Sequence, residues 1–285
     1  MKKNSFLLRP AFFVILLAGS AIIGMSENKV VADSASAADW KEPAGMSLVW
    51  QDEFNGTEIN TSDWGYETVR TGWSPTWNKE WQRYTDNGTG GPNAAIEDGS
   101  LVIKALKTTG GDGGYTAARM VTKGKHHWKH GVIAASMKLP HGRGFWPAFW
   151  MLPENGTWPN GGEIDIMELI GGGAGRDNKA YGTLHGPGYS GAKGIQGSCS
   201  LSKQNFSDAY HVFEIRWSEG KIEWYVDGQL YHEVTKAKVP GAWPFDDGDF
   251  YILFNLAVGG AWPGYPDEKT VFPQSMSIDW VRVYQ

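Results

Sequence analysis

The sequence predicts an all-β protein, an antiparallel sandwich, on three observations. Its apolar runs are short and bounded by Gly, Pro and Asp turns; some alternate apolar and polar residues with a period of two; and no stretch carries a long amphipathic helical pattern. Many short strands with no helices between them pack as two sheets. A chain of 285 residues, 41% of them hydrophobic, can support one large core. No internal repeat or linker divides residues 38–285, which are read as one domain.

The first 37 residues are set aside as a secretory leader. Lys2, Lys3 and Arg9 form a charged start, Ala11 to Gly24 is an apolar run, and Ala35-Ser36-Ala37 fits a cleavage site before Ala38. The apolar run is short for a membrane span, so a secreted protein, free of the membrane once cleaved, is expected. Cys199 is the sole cysteine, which excludes an intrachain disulfide, and a core of this size needs none. No His/Asn context makes Cys199 a nucleophile. A formal net charge of −5 with no basic block excludes a nucleic-acid partner from the expectations.

The clearest strands are Leu101 to Lys107, Val132 to Leu139, Tyr181 to His185, Val212 to Trp217, Lys221 to Val226, Phe250 to Leu256 and Met276 to Tyr284. Ile222, Trp224 and Val226 alternate with Lys221, Glu223 and Tyr225, as on a half-buried strand, and Asp227-Gly228 closes a tight hairpin after them.

One stretch, Gly161 to Ile170, departs from ordinary strand chemistry. Glu163, Asp165 and Glu168 are separated only by apolar residues. Glu163 and Asp165 share a strand face, whereas strict alternation would send Glu168 into the core, where a lone carboxylate is costly. An extra residue near Ile166 or Met167, a β-bulge, returns Glu168 to the Glu163 face. Three acids with no base among them point to a metal site or to acid/base chemistry. Glycoside hydrolysis is the favoured reading, because it needs one ionised and one protonated carboxyl flanking a bond, and a third acid can separate their pKa values.

Aromatic residues support a sugar cleft. The chain has 15 Trp, and flat indoles stack on the C–H faces of sugars. Trp146, Ala148 and Trp150 share one strand face, which is core or cleft with equal weight. Trp73, Trp77 and Trp81 lie in a polar, Pro-containing stretch and are expected outside the core. His185 at a strand end reads first as a surface residue. His126, His127 and His130 lack zincin spacing and sit among lysines, so a solvated loop is expected rather than a metal centre. The loops Gly110 to Gly114 and Gly171 to Gly175 lack the Lys-Ser/Thr ending of a phosphate loop and are read as flexible.

The Glu163 to Glu168 stretch resembles the signature of glycoside hydrolase family 16, in the bulged Glu-x-Asp-x-x-Glu form of laminarinase-like endo-β-1,3-glucanases. Asp52-Glu53-Phe54, Tyr115 to Arg119, Trp146 to Trp150, Phe254 to Gly260 and Ile278 to Tyr284 resemble further family segments, in family order over nearly all of residues 48–285. The resemblance implies a concanavalin A-like jelly-roll of two curved antiparallel sheets with a cleft on the concave face. It implies Glu163 as nucleophile, Glu168 as general acid/base and Asp165 as helper. Trp146, Trp150, Arg119, His185, Asn255 and Trp262 are placed near the sugar. No cofactor is implied for catalysis; a structural calcium at Glu53, Gly99 and Asp279 is implied on the convex side. The expected activity is retaining endo-hydrolysis of β-1,3 linkages, or of mixed β-1,3/1,4 linkages, in a β-glucan such as laminarin, by a monomer. Lichenan or an agar-type galactan as substrate, transglycosylation, and non-catalytic glucan binding are the alternatives. His126 to His130 departs from the aromatic-x-Tyr-Gly pattern that relatives often carry there.

Overall fold

Burial alternates with a period of two along Lys221–Val226, whereas Gly131–Lys138 and Phe250–Val258 are buried almost throughout, and the strands pair into two layers. The computed structural model describes residues 28–32, 37–109, 114–172 and 176–285. In chain order the strands are β1 (Asn28–Val30), β2 (Leu48–Asp52), β3 (Gly65–Tyr66), β4 (Arg83–Tyr84), β5 (Ala94–Glu97), β6 (Ser100–Lys107), β7 (Tyr115–Ala117), β8 (Arg119–Val121) and β9 (Gly131–Lys138). They continue as β10 (Phe145–Pro153), β11 (Glu163–Glu168), β12 (Lys179–His185), β13 (Ile195–Ser200), β14 (His211–Ser218), β15 (Lys221–Val226), β16 (Gln229–Thr235), β17 (Phe250–Val258) and β18 (Gln274–Tyr284). Among the described residues the helical elements are single 3₁₀ turns, such as Val69–Thr71. All seven strands expected from the sequence are present, with ends displaced by at most two residues.

One sheet runs β1-β13-β12-β11-β10-β17-β8-β3; the other runs β16-β15-β14-β9-β18-β6-β7-β4, with β2 on β18 and β5 on β6. Neighbours are antiparallel except for two short parallel pairs, β1 on β13 and β4 on β7. Consecutive strands pair in three runs, β5 to β7, β10 to β13 and β14 to β16, and distant segments close the sheets between them: β17 joins β10 to β8, and β18 joins β9 to β6. Between the layers, Phe149, Phe254, Ile164 and Leu184 of the first sheet meet Ile133, Phe213, Ile222 and Trp224 of the second in one buried cluster. The hairpin after β15 turns at Asp227 (φ 48°) and Gly228 (φ 74°), the two left-handed residues of a type I′ turn.

Two expectations meet a different structure. Trp73 is buried, its ring tilted against Tyr84 at 4.5 Å, while Trp77 and Trp81 are exposed. The segment bends after the 3₁₀ turn, with the Trp73 amide on the Thr68 carbonyl, so a polar loop pins itself to the core with one indole. Within the segment set aside as a leader, Asn28–Val30 forms an edge strand on β13 and Val31 enters the core at 2% exposure. Asn28 Oδ1 accepts from Ser198 and Ser200, and the Ala32 amide donates to Gln229. Cys199 is a buried free thiol on β13, its pKa pushed up by burial. Most of both Gly-rich loops, at 110–113 and 173–175, lies outside the described residues.

Candidate active site

The site begins with a register shift in β11. Against β10, Phe149 pairs with Met167 and Trp150 with Asp165, which leaves Ile166 as the extra residue. Against β12, Asp165 pairs with Thr183 and Glu168 with Tyr181, so Ile166 and Met167 together oppose Gly182. This is the bulge expected from the spacing of the acids. Ile164, Ile166 and Met167 are buried in the core, and the three carboxyls gather on the other face.

Neighbouring strands complete the cluster. His185 pairs with Glu163 across β12, and its Nε2 lies 3.2 Å from Asp165 Oδ2 and 3.7 Å from Glu163 Oε1. Its strand-end position alone read as surface, whereas the family resemblance placed it near the sugar; the β11–β12 register puts it beside the acids. Trp146 and Trp150, half-buried on β10 between buried neighbours, project from the acid-bearing face, where Trp146 bonds Glu168, which settles the even choice between core and cleft. Trp146 Nε1 donates to Glu168 Oε1 at 3.0 Å, and Trp150 Nε1 donates to Asn255 Oδ1 at 2.7 Å. The Arg119 guanidinium lies 4.5 Å over the Trp150 ring and its Nε donates to Glu67 at 2.7 Å. Trp262 stands edge-on to Trp146 and Tyr181, at 5.6 and 5.1 Å.

Burial is the main electrostatic influence. It raises the pKa of Glu163, Asp165 and Glu168, because a carboxylate loses hydration when water is excluded. The Asp165 charge adds to the rise at Glu163, which reaches about 8, while His185 and Arg119 oppose it. Glu168 is raised well above its ordinary range, with both neighbouring acids adding to the burial effect. Burial and mutual repulsion therefore keep the trio from carrying three charges at once: His185 and Arg119 favour charge on Glu163, and the two neighbouring acids favour a proton on Glu168.

Several site residues were not picked out from the sequence. Tyr181 shares the β12 face of Thr183 and His185, and the period of two would have found it. Glu80 accepts from Gln82, Asn78 and Tyr84, and the Tyr84 hydroxyl in turn accepts from Asn255. These residues come from an irregular stretch with no period to read.

Donor atoms of Glu163, Asp165 and His185 lie within 4.8 Å of one another and could hold an ion. The raised carboxyl pKa values work against that, since metal ligands must be deprotonated. His126, His127 and His130 do not converge: they pair with Asp63, Asp249 and Asp246 in turn, at 2.6, 2.9 and 3.4 Å. Glu53, Gly99 and Asp279 lie away from the acids. Glu53 accepts both Nε and Nη2 of Arg282, at 2.7 and 2.9 Å. Asp279 is the bulged residue between Ile278 and Trp280, with its pKa raised by burial and by the Glu53 charge. Gly99 has φ +75° in the β5–β6 turn.

Comparison with known proteins places this arrangement. A beta-glucanase of Rhodothermus marinus is 35% identical over 100% of this chain and 97% of its own length. A glucan endo-1,3-beta-glucosidase of Cryptopygus antarcticus is 40% identical, covering 82% of this chain and 87% of that protein. The X-ray structure of an endo-beta-1,3-glucanase from Pyrococcus furiosus superposes with a TM-score of 0.78 at 45% identity, over 87% of this chain and 98% of that one. The model of glycosyl hydrolases family 16 matches residues 74–282, and the chain belongs to that family of glycoside hydrolases.

Proposed function

We propose that the protein is a retaining endo-β-1,3-glucanase acting on laminarin-type glucans. The observation that carries this is the bulge, which sets Glu168 beside Glu163 and Asp165 on one open sheet face. Ionised Glu163 attacks the anomeric carbon while protonated Glu168 gives its proton to the departing glycosidic oxygen. The ester formed is then cleaved by water, whose proton returns to Glu168. Asp165, in contact with His185, holds charge and a proton between the two. Endo action is supported by the length of the lined surface. From His185 on β12 to Arg119 on β8 it crosses five strands, roughly 19 Å at about 4.8 Å per strand, more than one sugar ring occupies.

Reducing-sugar release from laminarin, lichenan, agarose and carrageenan, run side by side, tests the substrate; fastest release from agarose or carrageenan would reject a glucanase. Proton NMR of the first product tests the stereochemistry, with the β-anomer expected and the α-anomer excluding the covalent route.

Export and a structural calcium belong to the same proposal. The charged and apolar start of the chain supports export, and β1 supports cleavage ahead of Asn28. N-terminal sequencing of secreted protein checks it, and a mature start at Ala38 would reject it. The Asp279–Glu53 acid pair supports a cation. Because Arg282 occupies both Glu53 oxygens, Asp279 and main-chain carbonyls would supply the ligands, and the ion would tie β18 to the β5–β6 turn. A lower Tm in chelator, abolished in Asp279→Asn, is the expected result.

A further inference from the structure

The bulge has a partner in the opposite sheet. In a strand flanked on both sides, main-chain carbonyls point in the sheet plane toward their neighbours. The Asp165 carbonyl accepts the Trp224 Nε1–H at 2.8 Å, a bond that comes from β15 of the second sheet. Asp165 is the first residue of the irregularity, and its carbonyl is reached from inside the sandwich. Buried as it is, that carbonyl needs a donor, and an indole can only donate.

Trp224 reaches this far because β12 has no side chain in its path. Gly182 stands opposite the bulge, and a Cβ there would lie 2.4 Å from Trp224 Cδ1 and 2.6 Å from the Tyr231 hydroxyl. Its cross-strand partner on β13 is Gly197, where a Cβ would lie 2.2 Å from His232 Cγ. The two glycines form a slot, filled from below by Trp224, Tyr231 and His232. The second sheet is itself irregular at this point: Trp224 pairs with His232 and Tyr225 with Leu230, so Tyr231 is the extra residue. One bulge thus seats against another.

We propose that Trp224 is a positioning residue for the general acid: its indole N–H, bonded across the sandwich to the Asp165 carbonyl, holds the bulge that turns Glu168 toward the substrate. This rests on the reading of Glu168 as the acid. Trp224 touches no substrate, and its effect passes through the rotation of β11 between Asp165 and Glu168.

Trp224→Phe removes the donor and keeps an aromatic ring. Trp217→Phe is the matched control, because the Trp217 indole makes the same kind of buried bond, to the Phe245 carbonyl at 3.1 Å, and that bond engages no residue of β11. Both variants are expected to lose thermal stability. Trp224→Phe alone is expected to lose at least tenfold in kcat on laminarin with KM within twofold. The loss in kcat/KM, which reports the first step alone, should shrink to less than threefold on a 2,4-dinitrophenyl β-laminaribioside, whose leaving group needs no proton. Should Trp224→Phe not fold, β-(3-benzothienyl)alanine at position 224 keeps the indole shape and replaces N–H by sulfur, with the same expectations. A kcat on laminarin within twofold of wild type, or equal losses for both variants on both substrates, overturns the proposal. Glu168→Gln separates the two readings: an equal loss of kcat/KM on both substrates rejects Glu168 as the acid, whatever Trp224 does.

Discussion

Glu163 and Glu168 are the same residue type on one strand, yet the mechanism asks one to be a base and the other an acid. Their surroundings make the difference. Glu163 has His185 at 3.7 Å and the Arg119 charge nearby, and both favour its ionised form. Glu168 has both other acids pressing its proton on, opposed by His185 and by one indole donor, and the Arg119 charge is not among the groups acting on it. Glu163→Gln is expected to lower turnover of laminarin by about ten-thousandfold while oligosaccharide binding by calorimetry stays within a few-fold, because the amide keeps the shape and loses the nucleophile. The same substitution has a signed effect on stability. The Glu163 pKa is raised from 4.5 to about 8 in the folded chain, so the unfolded chain releases its proton first as pH rises. Wild type keeps its full stability below about 4.5 and loses some steadily until the folded carboxyl ionises near 8. Glu163→Gln should therefore melt with wild type at pH 4 and several degrees above it at pH 9. Melting curves across that range check this, and a difference that shrinks with pH would contradict the burial argument.

At the scale of elements, the site depends on which strands lie beside β11. The β12–β13 side shows how tightly this is set. Gly194, just before β13, has φ −53° and ψ 146°, an ordinary backbone that alanine also adopts. A Cβ there would lie 2.4 Å from His185 Cε1 and 2.6 Å from Nδ1. Gly194→Ala is thus expected to push the imidazole away from Asp165 with no backbone strain. The expected outcome is a kcat about tenfold lower with Tm changed by less than 2–3 °C. Initial rates and melting of the purified variant check it; unchanged kcat would mean that His185 is free to move and does not orient the acids. Across β10, the stacked Arg119–Trp150 pair and the Asn255 bond fix the face on which a sugar ring would rest. Arg119→Ala should raise KM more than it lowers kcat, since Arg119 touches neither acid and serves the surface.

At the scale of the whole molecule, β1 gives the eight-stranded sheet an edge that β13 would otherwise expose. A bare edge invites pairing with other chains. Val31 adds a buried side chain to the core. Val31→Ala should cost about 2 kcal/mol, or several degrees in Tm, and removal of residues 1–32 should cost more and promote aggregation. Differential scanning fluorimetry with light scattering checks both, and a truncated chain as stable as the full one would make β1 dispensable.

The sequence by itself determined the fold class, the seven main strands, the hairpin at Asp227-Gly228 and the bulge in β11. Each follows from local rules: a period of two, left-handed turn residues, and the cost of pointing Glu168 into apolar surroundings. The face chosen by Trp146 and Trp150, the place of His185 between two acids, the burial of Trp73 and the docking of β1 were decided only in three dimensions. Those depend on which distant strand lies alongside. Alternation tells that a residue has two faces to choose from, and only packing tells which face is wet. Trp224 is the sharpest case. In the sequence it is an alternating core residue; in the fold, the glycines opposite it let its one polar atom reach the main chain beneath the acids.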